Sequence, residues 1–365
     1  MVGARRTSLA ASVALTLLGA CGTTRAYAPD PGAYDRVPVA WDGALRAARL
    51  AFDRGDPASA FELLAPLAEE RPQVLPARVF LQEVELELLT TTGRAGALEA
   101  EPARAQAVLF ARYRDALQAQ ATPEGYVLAA RLAPEGEQAL AMLEQARVLD
   151  ERCVWAHYGR AWWLYALRRF KEAREEVRAA LRLDGGHLPT MRLHATMLAG
   201  AGDVEDSAHV LEEWLERTAD DPLFASYDRA DALLDLAAIE VLLDQPKDAL
   251  GHLSELDPRA VRDPLRAEEV RAAAHEARGE VSRALAALER ARAIEPRALL
   301  PLVQQAMMLE KAGDRDGERA VWQRLLELTE SDRDLQGDPS EIDFEAALFR
   351  LQAHTRLERL ARAQP

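Results

Sequence analysis

A short turn signal followed by a small residue recurs along the chain: Gly55-Asp56 before Ala60, Gly202-Asp203 before Ser207, Gly279-Glu280 before Ala284, and Gly313-Asp314 before Glu318. The corresponding positions elsewhere are Ala139, Ala173 and Ala249. Ala139, Ala173 and Ser207 are 34 residues apart, as are Ala284 and Glu318, and Ala249 precedes Ala284 by 35. A fixed period of this length marks a repeat architecture, in which each unit buries its apolar faces only by stacking on its neighbours. Composition makes the unit helical. Ala, Leu, Arg and Glu dominate, and no sustained apolar–polar alternation marks a strand.

Aligned on these turns, seven units share three positions. A small residue in the middle of the first helix falls at Ala48, Ala161, Ala195, Ala237, Ala272 and Ala306, with Val127 as the exception. A small residue opens the second helix at Ala60, Ala139, Ala173, Ser207, Ala249 and Ala284, where Glu318 departs. Four residues later comes a large apolar one: Leu64, Leu143, Val177, Leu211, Leu253, Leu288 and Trp322. Two helices approach closely only where side chains are small, and a large apolar side chain fills the gap beside them. The pattern resembles the tetratricopeptide repeat, although that family's terminal proline survives cleanly only as Pro72 and Pro296.

The resemblance implies an all-α fold, an α-solenoid of about eight antiparallel helix pairs over 41–332. The second pair, 75–119, is irregular, with a Gly- and Thr-rich insertion at Thr90–Gly96. The 42 residues from Ser207 to Ala249 predict a loop bulging over Ala219–Asp228. In the tail, 333–365, Ser340 and Asp343 have capping-box spacing, and Phe344, Leu348 and Leu351 share one helical face. A linker and a C-terminal capping helix are expected there.

The first residues carry a different message. Met1–Arg6 is basic, and Thr7–Ala20 is an apolar run too short to span a bilayer. It ends in Leu18-Gly19-Ala20-Cys21, which resembles the bacterial lipobox. That resemblance implies a signal peptide over 1–20, a diacylglycerol on the Cys21 thiol, and cleavage before Cys21. Gly22 follows rather than Asp, which in enteric-type sorting permits transfer to the outer membrane. An ordinary secretory signal, or a twin-arginine signal using Arg5-Arg6, are the alternatives. Residues 21–40 contain Pro29, Pro31, Gly32 and Pro38 and read as a flexible tether of at most about 60 Å.

The formal charge is −15, which argues against nucleic acid or anionic lipid as the main partner. Of the two cysteines, only Cys153 lies in the body, so no internal disulfide is available there. No histidine pair has zinc spacing, and there is no phosphate-binding glycine loop or nucleophile elbow. The expectation is a non-enzymatic protein without metal or cofactor.

One helix is rich in aromatics. Trp155, Tyr158, Trp162 and Tyr165 share a face, with Trp163 beside them. With Ala161 and Ala173 as anchors, these four fall at positions that, by the resemblance, line the solenoid's concave groove, and Arg192 holds the equivalent place in the next unit. The alternative register, Trp155-x-x-Tyr158-Gly159-x-x-Trp162, imitates the family's core signature and buries them. The functional expectation is a membrane-anchored scaffold that recruits or assembles envelope proteins through that groove, pilus or secretion assembly being slightly favoured. The alternative is a module that captures a small molecule or glycan by aromatic stacking.

Overall fold

A computed structural model describes residues 34, 36–94, 102–224, 226–335 and 344–362. The lipobox with Cys21 and the pair Ser340–Asp343 lie outside them. Among the described residues there are α-helices, one 3-10 turn at Val39–Trp41, and no strand.

The chain divides into two compact units at Leu193/His194. The first holds α1 (Asp42–Asp53) with α2 (Pro57–Glu70), α3 (Leu75–Arg94) with α4 (Pro102–Ala119), α5 (Pro123–Arg131) with α6 (Gly136–Leu149), and α7 (Val154–Ala166) with α8 (Phe170–Leu183). The boundary falls inside α9 (Leu188–Ala201). The second unit continues with α10 (Val204–Arg217), α11 (Ser226–Leu242) with α12 (Pro246–Glu255), and α13 (Pro264–Ala277) with α14 (Val281–Ile294). It ends with α15 (Leu300–Ala312), α16 (Arg315–Leu335) and the unpaired α17 (Phe344–Arg362). This is the all-α solenoid of helix pairs with a terminal helix that the period predicts.

Each turn signal is a helix stop. Gly55, Gly202, Gly279 and Gly313 are left-handed, with φ of 78°, 89°, 71° and 76°. The residue after each donates its N–H to the carbonyl five residues back: Asp56 to Ala51 at 2.9 Å, Asp203 to Leu198 at 3.0 Å, Glu280 to His275 at 2.9 Å, and Asp314 to Leu309 at 3.0 Å. This bond satisfies a carbonyl that the ending helix leaves free. Two pairs without glycine make the same turn. Arg168 has φ 60° and Asp244 φ 58°, and Arg169 and Gln245 donate to Leu164 and Glu240, both at 2.8 Å.

The three template positions are buried in every regular unit. The exceptions explain themselves. The Ser207 hydroxyl donates to the Ala195 carbonyl at 2.8 Å, so the small-residue contact accepts a polar group once it is bonded. Glu318, buried where alanine is usual, accepts the indole N–H of Trp322, the knob one turn on, at 3.3 Å.

Four expectations change. The irregular second pair spends its extra residues on length: α3 runs through Thr90 to Arg94, where an insertion was expected. α11 begins at Ser226, so the connection after α10 is shorter than the predicted bulge. On α17 the packed residues are Phe349, Ala353, Leu357 and Leu360, whereas Leu348 and Leu351 are exposed. Helix–helix packing selected the face carrying small Ala353, which continues in Leu357 and Leu360, rather than the stripe of Leu348 and Leu351. Finally, the expected tether is docked before its end. Tyr34 is fully buried among Leu75, Leu109 and Val127. Its hydroxyl donates to Asp150 at 3.0 Å, and its carbonyl accepts the Leu75 N–H at 2.9 Å. The reach from Cys21 to the body is therefore about 45 Å at most.

Candidate functional site

The second half of α7 is apolar without interruption, Ala161-Trp162-Trp163-Leu164-Tyr165-Ala166-Leu167. A helix that is apolar all round needs cover on every side. α7 has it on one side only. Ala161 and Leu164 are buried, yet Trp162 is 46% exposed and Leu167 40%. Just past the turn, Phe170 is 45% exposed.

The four aromatics predicted to share a surface are divided by the structure. Trp155 is only 4% exposed, a core residue rather than a groove residue. The connection after α8 brings His187 over it, with ring centroids 4.9 Å apart and edge to face. Tyr158 packs edge-on against both, at 5.8 Å from Trp155 and 5.6 Å from His187, and is partly buried. His187 itself is buried, with Nδ1 2.6 Å from the Thr190 hydroxyl. Burial pushes its pKa down to about 3, so the ring is neutral.

Trp162 turns outward and meets Trp163 edge to face at 4.9 Å. Trp163 and Leu167 close over Gly136, where a Cβ would lie 3.2 Å from the indole and 3.1 Å from the leucine. Tyr165 is partly buried against Phe170, with centroids 5.5 Å apart. Arg192 is partly buried on α9. Of the four, Trp155 is core, Tyr158 and Tyr165 are partly buried and Trp162 is exposed, so neither register read from the sequence holds for all of them.

Around this surface the charges are unevenly engaged. Arg169 is held by Glu172 at 2.7 Å and Glu137 at 3.2 Å. Arg168, Lys171 and Arg174 are exposed, and among the described residues no carboxylate pairs with them. On the other side of α7, Glu176 of α8 receives His157 Nδ1 at 2.7 Å and Arg160 Nε at 2.8 Å. Arg160 also reaches Glu144 of α6 at 3.0 Å. Burial works to raise the Glu176 pKa, but the hydrogen bonds from His157 and Arg160 prevail and leave it below the usual carboxylate value.

Similar His–Glu pairs join α11 to α12, Glu240 with His252 at 2.8 Å, and the end of α13 to the start of α14, His275 with Glu280 at 2.8 Å. Sequence reading missed these clasps because their partners stand at three different separations. Among the described residues no group of His, Cys, Asp and Glu is arranged to hold a metal, and no helix is long and apolar enough to cross a membrane.

No protein family matches the sequence, and no curated protein matches it. Solved structures do. The Cut9–Hcn1 hetero-tetramer of the APC/C matches over 87% of this chain and 55% of that one, at 14% identity and TM-score 0.52. This chain therefore spans about half that neighbour's length. Pseudomonas aeruginosa pilF matches over 65% of this chain and 99% of that one, at 20% identity and TM-score 0.44. YrrB, a tetratricopeptide-repeat protein with an unusual peptide-binding site, matches over 53% and 96%, at 19% identity and TM-score 0.44. The fold is a tetratricopeptide-repeat-like helical solenoid. At these identities the likeness speaks to fold alone.

Proposed function

We propose that this protein is a non-enzymatic interaction scaffold, exported and anchored to a membrane of the cell envelope through a lipid on Cys21, that recruits or assembles other envelope proteins. The observation that carries the scaffold reading is the set of large apolar side chains left exposed at the end of α7 and in the turn that follows it. Trp162, Leu167 and Phe170 are large apolar side chains left in solvent by a fold whose other aromatics in this region are packed away. Exposed apolar clusters of this kind mark interaction sites, and Trp and Tyr dominate the energetics of such contacts. The anchor reading rests on Leu18-Gly19-Ala20-Cys21 after a basic start and a short apolar run. Several acyl chains give stable attachment where one alone is marginal. The outer membrane is the favoured site because Gly22 follows the cysteine, and pilus or secretion assembly is the favoured setting.

The test is fractionation followed by affinity capture from solubilised membranes. The wild-type chain is expected in the membrane fraction with a defined envelope protein co-purifying. Cys21→Ser is expected in the soluble fraction. Retention of Cys21→Ser in the membrane would overturn the anchor, and the absence of any stoichiometric partner would overturn the scaffold.

A further inference from the structure

Tyr34 belongs to no helix, yet its side chain is fully buried in the core cluster that holds Leu75, Leu109 and Val127. Between it and α1 the chain returns to the surface. Arg36 is exposed, and Val39 is 92% exposed. Tyr34 is therefore fastened apart from the first pair, not as a continuation of it.

Two hydrogen bonds tie this residue to two different pairs. Its carbonyl accepts the Leu75 N–H at 2.9 Å, one of the amides that the start of α3 leaves free. Its hydroxyl donates to Asp150 Oδ2 at 3.0 Å, across 116 positions of sequence and just past the end of α6. The carboxylate is oriented for this, because Asp150 Oδ1 accepts the Arg152 N–H at 3.0 Å. Burial, with Cys153 and Asp150 nearby, pushes the tyrosine pKa up, so the hydroxyl keeps the proton it donates. One residue thus bridges the second pair to the third.

The second pair has a physical need for such a bridge. α3 and α4 have 20 and 18 residues, against 12 and 14 in the first pair and 9 and 14 in the third. At 1.5 Å per residue they outrun the helices on either side by roughly 10 Å. A solenoid unit is stable only where its neighbours cover it. Tyr34 supplies cover at the start of α3.

We propose that Tyr34 is a strap that fastens the N-terminal tether to the seam between the second and third pairs, so that tension on the tether reaches that seam before it reaches α1 and α2. The proposal rests on the anchor reading for the source of the tension: a body held by a lipid on Cys21 is pulled by the envelope protein it binds. The fastening itself does not depend on the lipid. While the strap holds, the first pair lies off the line of force. Once it yields, the chain between Tyr34 and α1 straightens, and only then is α1 pulled.

The test is single-molecule pulling on the full chain, purified without lipid. One handle is attached to Cys21 and the other to Glu175→Cys, an exposed position on α8. The remaining thiol, Cys153, is buried. The first event expected is a short step, at most about 25 Å, as the stretch from Tyr34 to α1 extends. The much longer release of α1 and α2 follows it. Tyr34→Phe keeps the ring but loses the bond to Asp150, and is expected to give the short step at lower force. Tyr34→Ala is expected to abolish it, so that α1 and α2 yield first. Should Tyr34→Ala fold poorly, hydrogen exchange in Tyr34→Phe gives a second reading. Exchange is expected to rise about tenfold at the Leu75 amide, as loss of one buried hydrogen bond does, and to stay as in the wild type in α1 and α2.

A wild-type trace whose first event is already the release of α1 and α2 overturns the strap. So does a short step that Tyr34→Phe leaves at the same force. Exchange that rises equally at Leu75 and throughout α1 and α2 also overturns it, because Tyr34 would then be an ordinary core residue. Failure of the anchor reads differently. Retention of Cys21→Ser in the membrane would remove the lipid as the source of tension, while the short step and its loss in Tyr34→Ala would still establish the fastening.

Discussion

His187 shows how one side chain decides what its neighbours become. It covers Trp155, packs on Tyr158 and is held by Thr190, and so converts half of an aromatic stripe into core. Its burial has a pH signature. The ring's pKa lies at about 3 in the fold, against an ordinary 6.5 in the unfolded chain. Above pH 6.5 both states are neutral and the site contributes nothing to the pH dependence. As pH falls below 6.5 the unfolded chain binds the proton first, so stability drops by up to about 1.4 kcal/mol per pH unit from this site alone. Denaturant melts between pH 7 and pH 4.5 are expected to show that slope. His187→Gln should start from lower stability but lose this part of the slope; an unchanged slope would mean that the ring titrates normally in the fold.

At the scale of the element, the helix stop is the unit of repetition, and it is more uniform than the residues that make it. Six pairs place a left-handed residue five positions before the residue that opens the second helix, which is small in five of them and Glu318 in the sixth. Four use glycine; Arg168 and Asp244 adopt the same conformation with a side chain in the way. A left-handed L-residue costs roughly 1–2 kcal/mol, partly offset in any comparison because glycine loses more chain entropy on folding. Arg168→Gly is therefore expected to stabilise the protein by about 1 kcal/mol, and Asp244→Gly by less, since aspartate tolerates this region better. Urea unfolding midpoints test this, and a loss of stability in both variants would contradict the strain argument.

For the whole molecule, stability is the sum of pairs and of contacts between neighbouring pairs. Each unit's core is assembled from adjacent helices, such as Ala272, Ala284, Leu288 and Met308 of α13–α15. Damage should therefore stay local. Ala284→Leu places a large side chain where the first and second helices touch, and overpacking of this kind costs about 1–3 kcal/mol. Hydrogen exchange is expected to speed up first in α13–α15, while α5–α8 keep their protection. Uniform loss of protection over the whole chain would instead mean a single cooperative unit.

The sequence by itself determined the helix pairs, their period and their stops. These depend on local rules: small residues where helices touch, a knob one turn later, and a glycine where the backbone must turn left-handed. What only the tertiary structure decided is which faces are covered. Trp155 and Trp162 lie two turns apart on one helix, but only Trp155 has His187 folded across it. Tyr34 reads as part of a tether yet ends in the core, because Asp150, distant in sequence, accepts its hydroxyl. Leu348 and Leu351 look like a packing stripe and remain in solvent, because the face with Ala353 allows the closer approach. Periodicity is written within a window of one repeat, whereas burial depends on which segment, near or far along the chain, comes to rest on a given face.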